Sequence, residues 1–393
     1  MKETGIDWVP SIPDGWSVMR LKDIAKLQSG ETITSNDIDE TGDYPVYGGN
    51  GMRGFTDSYT NEGDYVLIGR QGALCGNINY AHGKFFASEH AVVVYTKERN
   101  ENTTWLGETL RTANFNRLST SAAQPGLAVS VLNFQKIPYP PKEIREKIGN
   151  YLDARLGAID KRMAVLEKQR DAYTRLKKSV IHQAVTRGLN PDVRLKDSGI
   201  EWIGMIPEHW EERRIKDVVE LIKEKTADTN QPYIALENIE SWNGNFVETD
   251  AETEGTNSVF QSGDILFGKL RPYLAKGFIP SYGGICSTEF FVMRAQKSCY
   301  PRYFLYYILS KHVIDYIKNK VAGVKMPRTN WTEFGGLPFF IPPLSEQRSI
   351  AQYLDEKCAR IDAAIANIGR QIDASKRLKK AVVNAAVSGK LEL

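Results

Sequence analysis

The sequence predicts an α+β protein built as a pseudo-two-fold tandem repeat: two globular α/β domains separated by two long antiparallel helices that form a coiled coil. Three observations predict it. From Lys142 to Arg187 there is no proline, and Leu152, Ile159, Leu166, Tyr173 and Val180 recur at seven-residue intervals, with Leu156 and Met163 on a second seam. Sustained heptads with charges between the seams are the pattern of a coiled coil. The pattern then returns: Leu354, Ile361 and Ile368 keep the interval, Val382 lies two heptads on, and Cys358, Ile365 and Ile372 form the second seam. Finally, the chain opening Gly5-Ile6-Asp7-Trp8 comes back as Gly199-Ile200-Glu201-Trp202, 194 residues later.

Taken in order, residues 1–141 form the first globular domain, 142–187 the first long helix, 188–198 a linker, 199–343 the second globular domain and 344–393 the second long helix. Ile12-Pro13-Asp14-Gly15-Trp16 returns as Ile206-Pro207-Glu208-His209-Trp210, and Leu21-Lys22-Asp23 as Ile215-Lys216-Asp217. Tyr65 to Ile68, Val92 to Tyr95, Asp264 to Phe267 and Phe290 to Met293 are short apolar runs bounded by glycine or polar residues, which read as buried strands. Gly63 to Arg70 resembles Gly263 to Lys269, and each run ends in a cation. Ser88-Glu89-His90 has a looser echo that sets Glu89 against Glu289, and Pro138 lines up with Pro338. Thr104 to Leu118 and Tyr303 to Lys320 have helical spacing, so each domain carries a mainly antiparallel or mixed sheet with short helices.

A proline pair precedes each long helix, Pro140-Pro141 and Pro342-Pro343, and proline ahead of a helix is a start signal. Tyr151-Leu152-Asp153 matches Tyr353-Leu354-Asp355 and Leu176-Lys177-Lys178 matches Leu378-Lys379-Lys380, at an offset of 202. One helix of this length, about 67 Å, has an apolar stripe that needs a partner, and the repeat supplies it. Such a repeat sets the N-terminus near the end of the second helix. Gly188 and Pro191 break the first helix and open the linker.

Composition is that of an ordinary globular protein, 41% hydrophobic and 25% charged. No apolar run approaches a membrane span, the first ten residues lack the apolar core of a signal peptide, and the four scattered cysteines point to a reducing cytoplasm rather than a zinc site. Residues 1–140 carry 12 basic and 16 acidic residues, 141–190 carry 12 and 6, 191–341 carry 18 and 20, and 342–393 carry 9 and 6. The helices are therefore basic and the globular parts mildly acidic, which argues against bulk charge as a source of nucleic-acid affinity. There is no phosphate-binding Gly-rich loop, no Asn-Pro-Pro-Tyr motif for amino methylation, no nuclease carboxylate–lysine set after Pro191-Asp192 and no Gly-x-Ser-x-Gly elbow. His82, His90, His182, His209 and His312 show no metal-ligand spacing. The chain reads as non-catalytic, with no cofactor and no metal.

A globular segment, a proline pair with a long heptad helix, a second globular segment and the same helix again resembles the specificity subunit of type I restriction–modification systems. Ser345-Glu346-Gln347-Arg348 resembles that family's usual opening of the long helix, from which the first copy departs slightly. Tyr44 to Gly51 and Gly263 to Tyr273 each resemble a common class of target-recognition domain. The resemblance covers essentially the whole chain. It implies a DNA-binding subunit with two target-recognition domains held apart by a helical spacer. It also implies two methyltransferase subunits that dock on it and methylate adenine in a split site on double-stranded DNA, and a motor–nuclease subunit that joins for cleavage. The exposed row Arg155, Arg162 and Gln169 is a candidate docking face.

On that reading, base contacts come from loops at strand ends, where Arg and Lys suit guanine edges and Asn and Gln suit adenine. The candidates are Tyr47, Asn50, Arg53, Arg70, Gln71 and Gln124 in the first domain, and Lys269, Arg271, Tyr273, Lys325, Arg328 and Asn330 in the second. Gly48, Gly49 and Gly323 would permit close backbone approach. The mild acidity of the domains keeps an alternative open: a non-catalytic coiled-coil adaptor that binds proteins through its two globular domains.

Overall fold

Both long helices begin at the residue after their proline pair, Lys142–Arg187 and Leu344–Val387, and the same backbone capture starts each. The amide of Arg145 donates to the Pro141 carbonyl at 3.1 Å and that of Gln347 to the Pro343 carbonyl at 3.0 Å. Their side chains then reach back to the first proline of each pair, Arg145 to the Pro140 carbonyl at 2.8 Å and Gln347 to the Pro342 carbonyl at 2.9 Å. Arg145 and Gln347 are 202 residues apart and both buried, but what surrounds them differs. Arg145 is ion-paired with Glu98 and Glu101 and lies over the Tyr139 ring, whereas Gln347 bonds the Tyr300 amide and the Ser298 carbonyl.

The structure, a computed structural model, describes residues 1–72, 74–119, 126–253, 255–320 and 326–392. Two units divide it: Met1–Glu167 with Arg370–Leu393, and Lys168–Gly369. Each unit thus holds one globular domain and a length of both helices.

In the first unit the main elements are β1 (Ala25–Ser29), β2 (Tyr44–Gly48), β3 (Gly51–Thr56), β4 (Tyr65–Gly69), β5 (Ile78–Ala81), β6 (Lys84–Ala87), β7 (Ala91–Thr96), α1 (Thr103–Ala113) and, as far as Glu167, α2 (Lys142–Arg187). One sheet runs β1-β7-β4-β5, wholly antiparallel. A second, mixed sheet joins the β2–β3 hairpin to β6, which runs parallel to β2. The second unit has β8 (Val219–Ile222), β9 (Asn257–Phe260), β10 (Ile265–Gly268), β11 (Gly284–Cys286), β12 (Phe290–Ala295), α3 (Pro301–Ile308), α4 (Lys311–Lys320) and, as far as Gly369, α5 (Leu344–Val387). Its antiparallel sheet runs β8-β12-β10 and ends on Gly277–Phe278, and its mixed sheet is built on β9 and β11. Each apolar run read as a strand lies in one, with Asp264 just ahead of β10, because a continuous apolar run bounded by glycine or polar residues is a local signal.

The two helical spacings are each interrupted. α1 stops at Ala113, where Asn114 turns left-handed (φ 50°), and a short 3-10 turn follows. The second breaks into α3 and α4 at Leu309-Ser310, where the Ser310 carbonyl accepts the Ile314 amide and starts a new helix.

Strand register corrects two sequence pairings. β7 sets Ala91 opposite Gly69 and β12 sets Phe290 opposite Gly268, so the counterpart of Glu289 is His90, not Glu89. Lys136 pairs with Arg20 and Pro338 with Arg214, so Pro338 answers Lys136, not Pro138. The linker also carries structure: Leu195–Asp197 pairs with Met205–Pro207 as Lys2–Glu3 pairs with Ser11–Ile12, so the repeat starts before Gly199.

In each unit the end of a long helix closes the core of the domain that follows it in the repeat. Ile181, Ala184 and Val185 pack with Ile203, Ile206 and Trp210. Val383, Ala386 and Val387, at the 202 offset, pack with Ile6, Val9, Ile12 and Trp16, so the N-terminus does lie by the end of α5.

The helices pair within each unit. Lys379 grips Asp160 at 2.7 Å in the first unit, and Lys177 grips Asp362 at 2.7 Å in the second, the same pair repeated in antiparallel sense. Leu152, Leu156, Ile159 and Leu166 are buried as the heptads require, but Tyr173 is 38% exposed and does not continue the seam. From there the buried face of α2 moves to Lys177, Ile181 and Ala184. A straight helix drifts about 20° per heptad from a strict seven-residue repeat, and packing on the second domain selects the new face. No described helix is long and apolar enough to cross a membrane. All four cysteines are free and buried.

Candidate nucleic-acid interface

Backbone geometry at three glycines builds the first site. A β-carbon at Gly49 would stand 2.6 Å from the Gln71 carbonyl oxygen, and one at Gly69 would stand 2.0 Å from the Gly49 carbonyl oxygen. The tip of the β2–β3 hairpin therefore lies directly on the chain leaving β4, an approach only glycine allows. A β-carbon at Gly48 would meet the Arg53 side chain at 2.5 Å, so Arg53 runs back across the hairpin.

This contact gathers the candidates. Asn50 accepts from the Asn77 amide at 3.1 Å, and Arg70 donates to Ser29 Oγ at 3.3 Å. The Arg70 backbone takes the His90 carbonyl and gives its own carbonyl to the Leu127 amide, and Gln71 bridges Gly126. Asn50, Arg53 and Gln71 are exposed or nearly so. Tyr47 differs: it stands edge-on to Phe85 at 5.7 Å, and burial pushes its hydroxyl above the usual tyrosine range. That side chain is partly buried and packs against a small apolar cluster that includes Leu67, Ala87 and Val93. Gln124 lies outside the described residues.

The second site repeats the construction with other side chains. The Lys269 amide takes the Glu289 carbonyl at 2.7 Å, its carbonyl accepts the Thr329 amide at 3.1 Å, and Leu270 bridges Arg328. Arg271 holds a left-handed backbone (φ 49°), donates its amide to the Pro327 carbonyl at 2.8 Å and opens a 3-10 turn over Pro272–Leu274. Arg271 and Tyr273 are exposed on that turn. The Lys269 ammonium lies over the Phe291 ring, 5.6 Å from its centre, and burial lowers its pKa from the usual lysine value. Asn330 is exposed, but its carbonyl caps the short helix Trp331–Gly335 by accepting the Glu333 amide at 2.9 Å. Lys325 and Gly323 lie outside the described residues.

Glu289 is the residue that sequence reasoning passed over. It pairs with Arg328 at 2.9 Å and stands among the cations Lys269, Arg328 and Lys225 that act on this site. Its counterpart His90 pairs with Glu89 at 3.0 Å. The signal was present in the Ser88 and Ser287 runs, hidden by a one-residue slip in their alignment. Chemically, each site offers forked or ammonium donors for guanine and phosphate, amides for adenine, and in the second a carboxylate able to accept from cytosine.

Comparison with known proteins agrees with this duplicated construction. The family described as type I restriction modification DNA specificity domain matches residues 13–168 and again 207–372. The EcoprrI specificity subunit of Escherichia coli is 40% identical over 137 residues, 34% of each chain. The EcoDI specificity subunit of Escherichia coli is 22% identical over 407 residues, covering 97% of this chain and 89% of the relative. A solved chain from a study of complex assembly in a type I R-M system superposes with a TM-score of 0.70 at 16% identity, over 97% of this chain and all of that one. With two specificity domains in tandem over most of its length, the chain belongs to the DNA specificity family of type I restriction–modification systems.

Proposed function

We propose that this specificity subunit reads a bipartite, asymmetric target in double-stranded DNA, the domain at 1–141 reading one part and the domain at 199–343 the other. The observation that carries the reading is one loop construction made twice with different side chains: Arg70 and Gln71 beside 126–127, Lys269 to Arg271 beside 327–329. A shared frame with unlike donors suits two different half-targets. Tyr47, Asn50, Arg53, Arg70 and Gln71 serve the first, and Lys269, Arg271, Tyr273, Arg328 and Asn330 the second, with Gln124 and Lys325 in the adjoining segments. The long helices are the spacer, and 188–198 is the linker.

The chain itself is non-catalytic on this reading. Adenine must leave the stack to be methylated, so base flipping and methyl transfer belong to docked methyltransferase subunits, and cleavage to a motor–nuclease subunit in the cytoplasm. Two methyltransferases are supported by the helices. Leu176 and Leu378 are counterparts at the 202 offset, and each is 47% exposed beside a lysine pair. Two equal apolar footholds on outer helix faces fit two copies of one partner, with Arg155, Arg162 and Gln169 exposed along the same helix.

Filter binding of duplex DNA by the full chain, with and without its methyltransferase, tests the reading. Methylated DNA from the complex only is expected. Labelled DNA from the isolated chain with S-adenosylmethionine, or a complex that retains no sequence preference, overturns it.

A further inference from the structure

The two units differ where a domain faces its helices. In the first unit a cleft of about 1160 Å³ opens between α1 and the two long helices, with Trp8, Gly157, Lys379, Lys380 and Asn384 on its walls. The 194 and 202 offsets make Trp202, Ala359, Lys177, Lys178 and His182 their counterparts.

In the second unit four of those counterparts are covered by side chains of the same unit. Trp202 lies against the Tyr316 ring at 5.0 Å and His182 against the His312 ring at 3.7 Å, both supplied by α4. Lys178 stands 4.5 Å from the centre of the Trp242 ring, and Lys177 donates to Asn243 Oδ1 at 2.7 Å. Trp242 and Asn243 come from a tight turn closed by the Ile239–Phe246 bridge, with Trp242 itself left-handed (φ 69°). Among the described residues of the first unit, no ring lies on Trp8 or over Lys380, and Lys379 has Asp160 without an amide partner.

We propose that the first-unit cleft docks a polypeptide segment of a partner protein that presents an aromatic ring beside a side-chain amide. That segment would take the place Trp242 and Asn243 hold in the second unit: ring over Lys380, amide oxygen on Lys379. Cation–π contact of this kind strengthens as the cation is desolvated, and a cleft of this size accepts several residues. Its charge is close to balanced, with Asp7, Glu108, Asp153 and Asp160 set against five lysines and arginines. A phosphate backbone requires a clear basic excess, so nucleic acid is the weaker occupant. The proposal does not depend on which DNA is read.

The test uses a fluorescent peptide of residues 238–249 as probe, titrated with the full chain and followed by anisotropy. The second unit already holds its own loop, so one site per chain is expected. Gly157→Phe is the blocking variant: a β-carbon there meets nothing within 4 Å, so the ring enters the cleft, and phenylalanine suits a helix better than glycine. Lys380→Glu, at an exposed position, removes the cation with the cleft left open. Each variant, and a peptide with Trp242→Ala, should weaken binding about tenfold or more, with thermal melting unchanged. No saturation by about 1 mM, or binding undiminished by both variants, overturns the proposal. So does a DNA duplex, or a second copy of the chain, whose association is what Gly157→Phe abolishes.

Discussion

Arg271 is exposed on a left-handed turn whose backbone is tied to Pro327, so its side chain is presented by a fixed frame. If it reads a base, Arg271→Ala relaxes specificity at one position of the target, by about 1–3 kcal/mol. If it grips a phosphate, binding weakens on all sequences and the salt slope becomes shallower by about one unit. Methylation sequencing and a salt titration of the complex separate the outcomes. A second residue-scale prediction concerns His182, whose pKa is held down to about 4 by burial, with the His312 ring and Arg187 adding. The folded state refuses a proton that the unfolded state accepts below its ordinary 6.5, so stability is full above that value and falls as pH drops toward 4. His182→Gln should flatten the fall in unfolding midpoint across that window. An equal slope in the variant would exclude His182 as its source.

At the scale of elements, one ion pair occurs twice in unlike surroundings. The Lys177 side chain is 11% exposed and also serves Asn243, whereas that of Lys379 is 36% exposed and, among the described residues, serves only Asp160. Lys177→Met leaves two acceptors of the second unit without their donor and should cost about 1–3 kcal/mol. Lys379→Met should cost about 0–1 kcal/mol, as exposed pairs do. Urea unfolding of the two variants compares them directly, and equal losses would contradict the burial argument. The helix starts make the same point: Arg145 and Gln347 bond equivalent carbonyls, those of Pro140 and Pro342, but one demands two carboxylates nearby and the other only backbone.

For the whole molecule, the reading as a spaced pair of DNA readers makes helix length a functional quantity. Inserting four residues at matched positions in α2 and α5 adds about 6 Å, close to two base pairs at ~3.4 Å each. The unread gap in the methylated target should lengthen accordingly. A gap that does not change, in a variant that still folds and methylates, would show that something other than the helices sets the spacing.

Much of the repeat was legible without coordinates, because heptads, proline pairs, glycine-bounded apolar runs and the 194 and 202 offsets are local signals that chemistry imposes on a few neighbouring residues. The strand-end loops were legible in part, since Gly48 and Gly49 announce tight backbone beside the exposed Arg53, whereas Gly323 lies outside the described residues. Tertiary structure alone decided three things. It moved the buried seam off Tyr173, since which helix face is covered depends on the partner surface and not on the period. It made His90, not Glu89, the counterpart of Glu289 in the repeat, since strand register is set by hydrogen bonds between distant segments that an alignment can slip past. And it filled one cleft while leaving its counterpart open, because Trp242 and Tyr316 reach the helices only once the second domain has folded around them.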